Sequence, residues 1–226
     1  MFFLITNAGI AVDKNVLLRE DFNALENWKP LHFSKIKEHT KYSVDKEDGS
    51  FHLKAESNAS ASGIIFKKEF NIFEHPKVRW RWKISNVYRK GNVEEKAGDD
   101  CPIRIYVIFK YDPDNASFGQ RIKYGFAKAI YGEYPPHSSL GYIWESRKHD
   151  KNILSNPYAA ESKMIILQTG AENAGKWIEQ EVNIIDDYRK AFGEDPPAVA
   201  SLAIMNDSDN TGESAISYVD YIEVYR

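Results

Sequence analysis

The heptapeptide Val78-Arg79-Trp80-Arg81-Trp82-Lys83-Ile84 alternates apolar and cationic residues without interruption. Successive side chains of a strand point to opposite faces, so Val78, Trp80, Trp82 and Ile84 share one face and Arg79, Arg81 and Lys83 the other. A helix would scatter the same residues around its circumference. The period recurs, less strictly, over 50–55, 63–70, 103–111, 140–145, 164–169, 176–184, 198–205 and 217–225. Helix is expected in two places. Over 117–131, Phe118, Ile122, Phe126, Ala129 and Ile130 recur at three- and four-residue spacings, with Asn115 or Ser117 as cap and Gly132 as stop. A short turn over 186–192 ends at Gly193, and Pro196 and Pro197 prevent its continuation. Strand and helix do not alternate as in a nucleotide-binding sheet. The pattern therefore implies an all-β fold, an antiparallel β-sandwich of jelly-roll type (concanavalin-like or galactose-binding-like) with one or two short helices.

A chain of 226 residues with no Pro/Gly/Ser-rich linker reads as one such domain over 12–226. Its 42% hydrophobic and 13% aromatic content suffices for a sizeable core. The formal net charge of −3 gives no pull towards nucleic acid, which is not an expected partner. Cys101 is the single cysteine, so no intrachain disulfide forms. Residues 1–11 are apolar and end in Gly9-Ile10-Ala11, a small-x-small pattern like a signal-peptidase site, although no Lys or Arg precedes Lys14. They are too short to span a bilayer. They read as a truncated export signal, with an ordinary first strand as the alternative, and imply a periplasmic or secreted protein without a transmembrane segment.

Polar chemistry concentrates at two acidic corners. Lys96-Ala97-Gly98-Asp99-Asp100 leads through Pro102 into a strand on which Arg104, Tyr106, Ile108 and Lys110 share a face. A carboxylate pair beside an Arg either holds sugar hydroxyls, binds calcium or forms an internal ion pair. The second corner is Asn206-Asp207-Ser208-Asp209-Asn210-Thr211-Gly212-Glu213. There Asp207-x-Asp209-x-Thr211-Gly212 resembles the opening of a calcium loop, in which alternate oxygens converge on the ion. Tyr218 stands where an EF-hand needs its bidentate Glu. A full EF-hand is excluded, and a looser calcium site at Asp207, Asp209 and Thr211 remains. The plain alternative is a β-hairpin loop whose Asp, Asn, Thr and Gly satisfy turn geometry. The two corners are expected to meet in one rim with Asn210.

Tyr142 and Trp144 share a strand face, and Tyr131, Tyr134 and Tyr158 lie in the irregular stretches around it. Such residues either stack on sugar rings or fill core. Trp80 and Trp82 belong to the core, and Arg79, Arg81 and Lys83 form a basic stripe that either meets acidic glycans or is solvated. The six histidines show no His-x-His or His-Glu-x-x-His spacing, and no Gly-x-Ser-x-Gly elbow, P-loop or Gly-x-Gly-x-x-Gly occurs. Zinc hydrolases, serine esterases and nucleotide enzymes are not expected.

Several uncommon words occur in order: Lys54-Ala55-Glu56-Ser57, Arg79-Trp80-Arg81-Trp82-Lys83, Gly175-Lys176-Trp177, and Asp187-Tyr188-Arg189-Lys190-Ala191-Phe192-Gly193, together with 96–107 and 204–213. In these the chain resembles bacterial domain-of-unknown-function family 3047, from about residue 16 onward. Tyr218-Val219-Asp220 departs from the small residue expected before the Asp. The resemblance implies an exported bacterial protein and carries no established activity. The expected function is a non-catalytic module that binds carbohydrate or another cell-envelope ligand at the rim. The alternative is a polysaccharide-cleaving enzyme. A hydrolase needs two carboxylates across a cleft, whereas a lyase needs an Arg and a base, here Arg81 or Arg104 with Tyr106 or Tyr142.

Overall fold

In the computed structural model, which describes residues 15–47, 49–114, 116, 118–131 and 134–226, the alternating heptapeptide forms most of a strand whose burial alternates residue by residue. In chain order the strands are β1 (Val16–Glu20), β2 (Trp28–Leu31), β3 (Lys41–Glu47), β4 (Ser50–Asn58), β5 (Ala61–Phe66), β6 (Phe70–Asn71), β7 (Lys77–Ile84), β8 (Arg104–Phe109), β9 (Ser138–Glu145), β10 (Ile153–Ser155), β11 (Ser162–Thr169), β12 (Ile178–Asn183), β13 (Val199–Asp207) and β14 (Ser214–Tyr225). Among the described residues two α-helices, α1 (Phe118–Tyr131) and α2 (Ile184–Phe192), interrupt them. The segment 1–11 and the expected α1 caps Asn115, Ser117 and Gly132 lie outside the described residues. Among those described, no helix is long and apolar enough to cross a membrane.

The strands form two sheets. The smaller has the order β12-β7-β14-β4-β3 with β1 on β14, and the larger β10-β11-β9-β8-β13-β5-β2 with β6 on β13. Their apolar faces meet. Trp80 packs on Tyr142 with ring centroids 5.5 Å apart, and Trp82 on Trp144 at 5.9 Å. Ile105, Val107 and Phe109 of β8 and Leu202 and Ile204 of β13 complete the layer from the larger sheet. The fold is thus the expected sandwich of jelly-roll type. Among the described residues its pairings are antiparallel except for β9 with β11, because the chain leaves β9 and returns through β10 instead of turning back in a hairpin.

Strands that escape the period-two pattern lie mostly at edges, where only part of a face is buried. Pro30 interrupts β2, and β3 carries Lys41, Asp45, Lys46 and Glu47; both features suit edge strands. The expected strand over 63–70 is two, since the chain leaves the sheet at Lys67-Lys68-Glu69 and rejoins it as β6. Helix α2 starts at Ile184, earlier than expected, because Asn183 Oδ1 accepts hydrogen bonds from the N–H groups of Ile185 and Asp186. It ends at Gly193, whose φ of 76° needs glycine. On α1, Phe118 and Ile122 face solvent, while Tyr124 stacks on Tyr111 at 3.9 Å.

Of the connections that pass between the sheets at one end of the sandwich, two meet at the second acidic corner. The chain steps from β4 to β5 through Ala59 and Ser60, and from β13 to β14 through residues 208–213. They are stitched together: Ala59 N–H donates to the Glu213 carbonyl at 2.9 Å and Ser208 N–H to the Ser60 carbonyl at 2.9 Å. The second acidic corner therefore bridges the sheets and is not a hairpin loop.

Candidate functional site

Arg104 opens β8 on the side away from the main core, yet it is only 1% exposed. The segment preceding β8 folds back over the outer side of β9 and β11, where Val93 and Cys101 pack with Ile143, Met164 and Ile166. Beneath it, Arg104 Nε and Nη2 donate to both oxygens of Asp207 at 3.0 and 2.8 Å. Nη2 also donates to Asp99 Oδ1 at 3.0 Å and to the Asp99 carbonyl at 2.8 Å. Asp207 ends β13, the strand paired with β8, with Met205 opposite Arg104. Register thus joins the two acidic corners, Arg104 meeting Asp207 103 positions further along the chain.

Asp100 is fully buried and accepts hydrogen bonds from the N–H groups of Asn210 at 3.3 Å and Thr211 at 2.6 Å. One carboxylate oxygen from each of Asp100, Asp207 and Asp209 lies within 4.8 Å of the others, close enough to hold a metal ion. Thr211 lies in the same turn, where its hydroxyl donates to the Ser208 carbonyl at 3.5 Å and accepts from Glu213 N–H at 3.3 Å. Asp100, from the other corner, joins Asp207 and Asp209.

Four carboxylates, Asp99, Asp100, Asp207 and Asp209, gather about one guanidinium. Burial pushes Asp207 up to about 7, helped by Asp100 and Asp99 and opposed by Arg104. Burial and Asp100 likewise raise Asp209. Burial opposes the charge on Arg104, but Asp207 and Asp99 more than offset it. The corner holds excess negative charge that a proton or a cation can neutralise.

Beside this corner the outer face of the larger sheet is a trough. Its polar end is a cavity of 640 Å³ between the rim and residues 32–36, lined by Phe33, Lys35, Tyr106, Asn156, Tyr158 and Asn210 among others. Tyr106 lies on the floor against Gly141, its cross-strand partner. A methyl at Gly141 would meet three atoms of the Tyr106 ring at 2.8 to 3.3 Å, so glycine is what lets the ring lie down on β9. Burial pushes the Tyr106 phenol well up, so it stays protonated at neutral pH, a donor and not a base. Tyr158 is exposed on the rim and donates to Asn210 Oδ1 at 2.8 Å.

Asp99, Asp100, Arg104, Tyr106, Asp207, Asp209 and Asn210 thus converge. Tyr142 and Trp144 do not: both side chains point into the sandwich, where they meet Trp80 and Trp82. The parity of β9 decides this, since Gly141 and Ile143 take its outer face. Arg81 lies on the outer face of the other sheet, paired with Asp220 at 2.8 Å and stacked over Trp177 at 5.2 Å. Its neighbours Arg79 and Lys83 are matched by Glu223 and Glu47. The basic stripe is therefore an ion-pair ladder, and neither Arg81 nor Tyr142 can join a lyase pair at the rim. Phe33, Lys35 and Asn156 were not legible as site residues. They sit on irregular segments without a period, and only the fold brings them over β8 and β13.

The model of the family described as "Protein of unknown function (DUF3047)" matches residues 26–223. No curated protein matches the chain. Among solved structures, the chain is similar to a family 11 carbohydrate-binding module from Clostridium thermocellum in complex with a beta-1,3-1,4-mixed-linked tetrasaccharide: 12% identity, TM-score 0.49, covering 93% of this chain and 95% of that one. A family 27 module from Caldicellulosiruptor saccharolyticus in complex with mannohexaose gives 10% identity and TM-score 0.41, covering 92% and 96%. Endoglucanase 3 of family GH12 from Trichoderma harzianum gives 7% identity and TM-score 0.42, covering 89% and 98%. At these identities the likeness is one of fold.

Proposed function

We propose, from the premise that this chain belongs to DUF3047, a family of proteins of unknown function, that its trough binds a carbohydrate chain without cleaving it. The observation that carries the reading is Tyr106 held against Gly141 on the floor of a 640 Å³ cavity, beside Asn156, Tyr158, Asp209 and Asn210. An aromatic floor suits the apolar face of a sugar ring, and amide, phenol and carboxylate groups suit its hydroxyls.

Binding without cleavage is the better reading because the carboxylates are already engaged. Asp207 is held at both oxygens by Arg104, and Asp100 is held by two backbone N–H groups. All come from one corner, whereas acid and base or nucleophile must flank the scissile bond. A lyase would need a cation free to meet developing charge, and Arg104 is enclosed by Asp99 and Asp207. Calcium at Asp100, Asp207 and Asp209 belongs to the same reading. A hard cation suits oxygen ligands and would relieve the charge excess, stiffening the loop that carries Asn210.

The ligand in this reading is a cell-envelope or extracellular glycan, and the protein is exported. Fusing residues 1–11 ahead of a reporter and fractionating cells tests the export. Thermal shift of the whole chain against neutral and acidic oligosaccharides, each with calcium and with chelator, tests the binding, since a ligand of the native state alone raises Tm. A shift produced by one glycan class and abolished by Asn210→Ala is expected. No shift with any glycan overturns the reading, and product release from a shifted substrate would restore the enzyme.

A further inference from the structure

The trough has a second half of different chemistry. Beyond Tyr106 its lining turns apolar, with Leu31 of β2, Ile108 of β8, Ala203 and Met205 of β13, and Pro136. This middle compartment measures 180 Å³ and shares Phe33, Tyr106 and Met205 with the polar cavity, so the two adjoin. It also shares Pro136 and Ser139 with a further hollow of 350 Å³ beside Tyr124. Among the described residues, no charged side chain lines the middle compartment. Of its polar groups, Ser139 is spent on Ser162, to which its hydroxyl donates at 2.9 Å.

That composition is unusual for the outer face of a sandwich. On the smaller sheet the outward positions of β7 are Arg79, Arg81 and Lys83, each with an acidic partner. On the larger sheet the outward positions of β8 and β13 carry Ile108 and Met205, both half-buried, and Ala203, fully buried. A row of sugar hydroxyls laid over them would find no partners and would lose hydration. A hydrocarbon segment loses nothing there and gains from leaving water.

We infer that the trough takes an amphiphile: a carbohydrate bearing an alkyl or acyl chain, its sugar at Tyr158, Asp209 and Asn210 and its chain over Leu31 and Ile108. The inference rests on the glycan reading of the same trough and adds the chain.

Methyl, butyl, hexyl and octyl glycosides of glucose and maltose, kept below micelle formation and followed by NMR titration of the whole chain, test it. Octanoate serves as a probe with no sugar. Affinity should rise about three- to fourfold per methylene up to hexyl. Ile108→Ser should flatten that rise while leaving methyl-glycoside affinity unchanged. Leu31→Ser, half-buried on the edge strand β2 and lining the same compartment, should do the same and covers the case in which Ile108→Ser does not fold. Equal affinity for methyl and hexyl glycosides overturns the inference and leaves the glycan reading intact. Octanoate binding as well as octyl glycosides, with no shift from any free sugar, overturns the glycan reading and with it the assignment of the sugar end. Failure of the sugars and of every alkyl probe overturns both.

Discussion

Removing the Arg104 guanidinium would leave Asp99 and Asp207 together in a buried corner without a counter-charge. Breaking a buried pair from one side costs about 3–5 kcal/mol, chiefly because the abandoned charge stays desolvated. Arg104→Met should lose that amount in urea unfolding at pH 7.5, and adding Asp99→Asn and Asp207→Asn should restore much of it. A loss under about 1 kcal/mol for the single variant would show that water reaches the corner. This pairing was legible in the sequence as one of three possibilities at the first corner, because Asp99, Asp100 and Arg104 stand close along the chain. That Asp207 would supply the bidentate partner was not, since only the pairing of β8 with β13 brings it there.

The two sheets use their strands differently. On the smaller sheet Glu223 of β14 stands directly opposite Arg19 of β1 on one side and Arg79 of β7 on the other. Burial alone would raise the Glu223 carboxyl, but Arg79 and Arg19 outweigh it and hold the group below its usual range. The stabilisation is therefore complete above the unfolded value of 4.5 and is lost as pH falls through the lowered native value. Glu223→Gln should cost about 1–3 kcal/mol at pH 7, and its deficit against the natural chain should close as pH drops below 4. A deficit that does not change with pH would place the loss in packing. On the larger sheet the interplay of β8 and β9 turns on Gly141. Gly141→Val should displace Tyr106, cost about 1–3 kcal/mol through overpacking, and weaken glycan binding more than tenfold. Unchanged binding would remove Tyr106 from the floor of the site. The strong alternation of β7 gave away its faces, whereas β9 misled, since Tyr142 and Trp144 look alike whether they face core or solvent.

Across the whole molecule a single apolar layer joins the sheets, from Val78, Trp80 and Trp82 to Phe109, Trp144 and Ile204. Neither sheet can keep its face covered alone, so unfolding should be one transition. Tryptophan fluorescence and far-ultraviolet circular dichroism should give the same denaturant midpoint, and separated midpoints would divide the chain into two units. The sequence by itself determined the β-sandwich, the membership of the tryptophan strand in the core and the two polar corners, because period two and turn chemistry act over a few residues. Only the tertiary structure decided that the corners share one buried guanidinium, that Arg81, Tyr142 and Trp144 lie away from the rim, and that an apolar trough continues from it. Those outcomes depend on strand order and register, which bring together residues far apart in the chain and which no local pattern records.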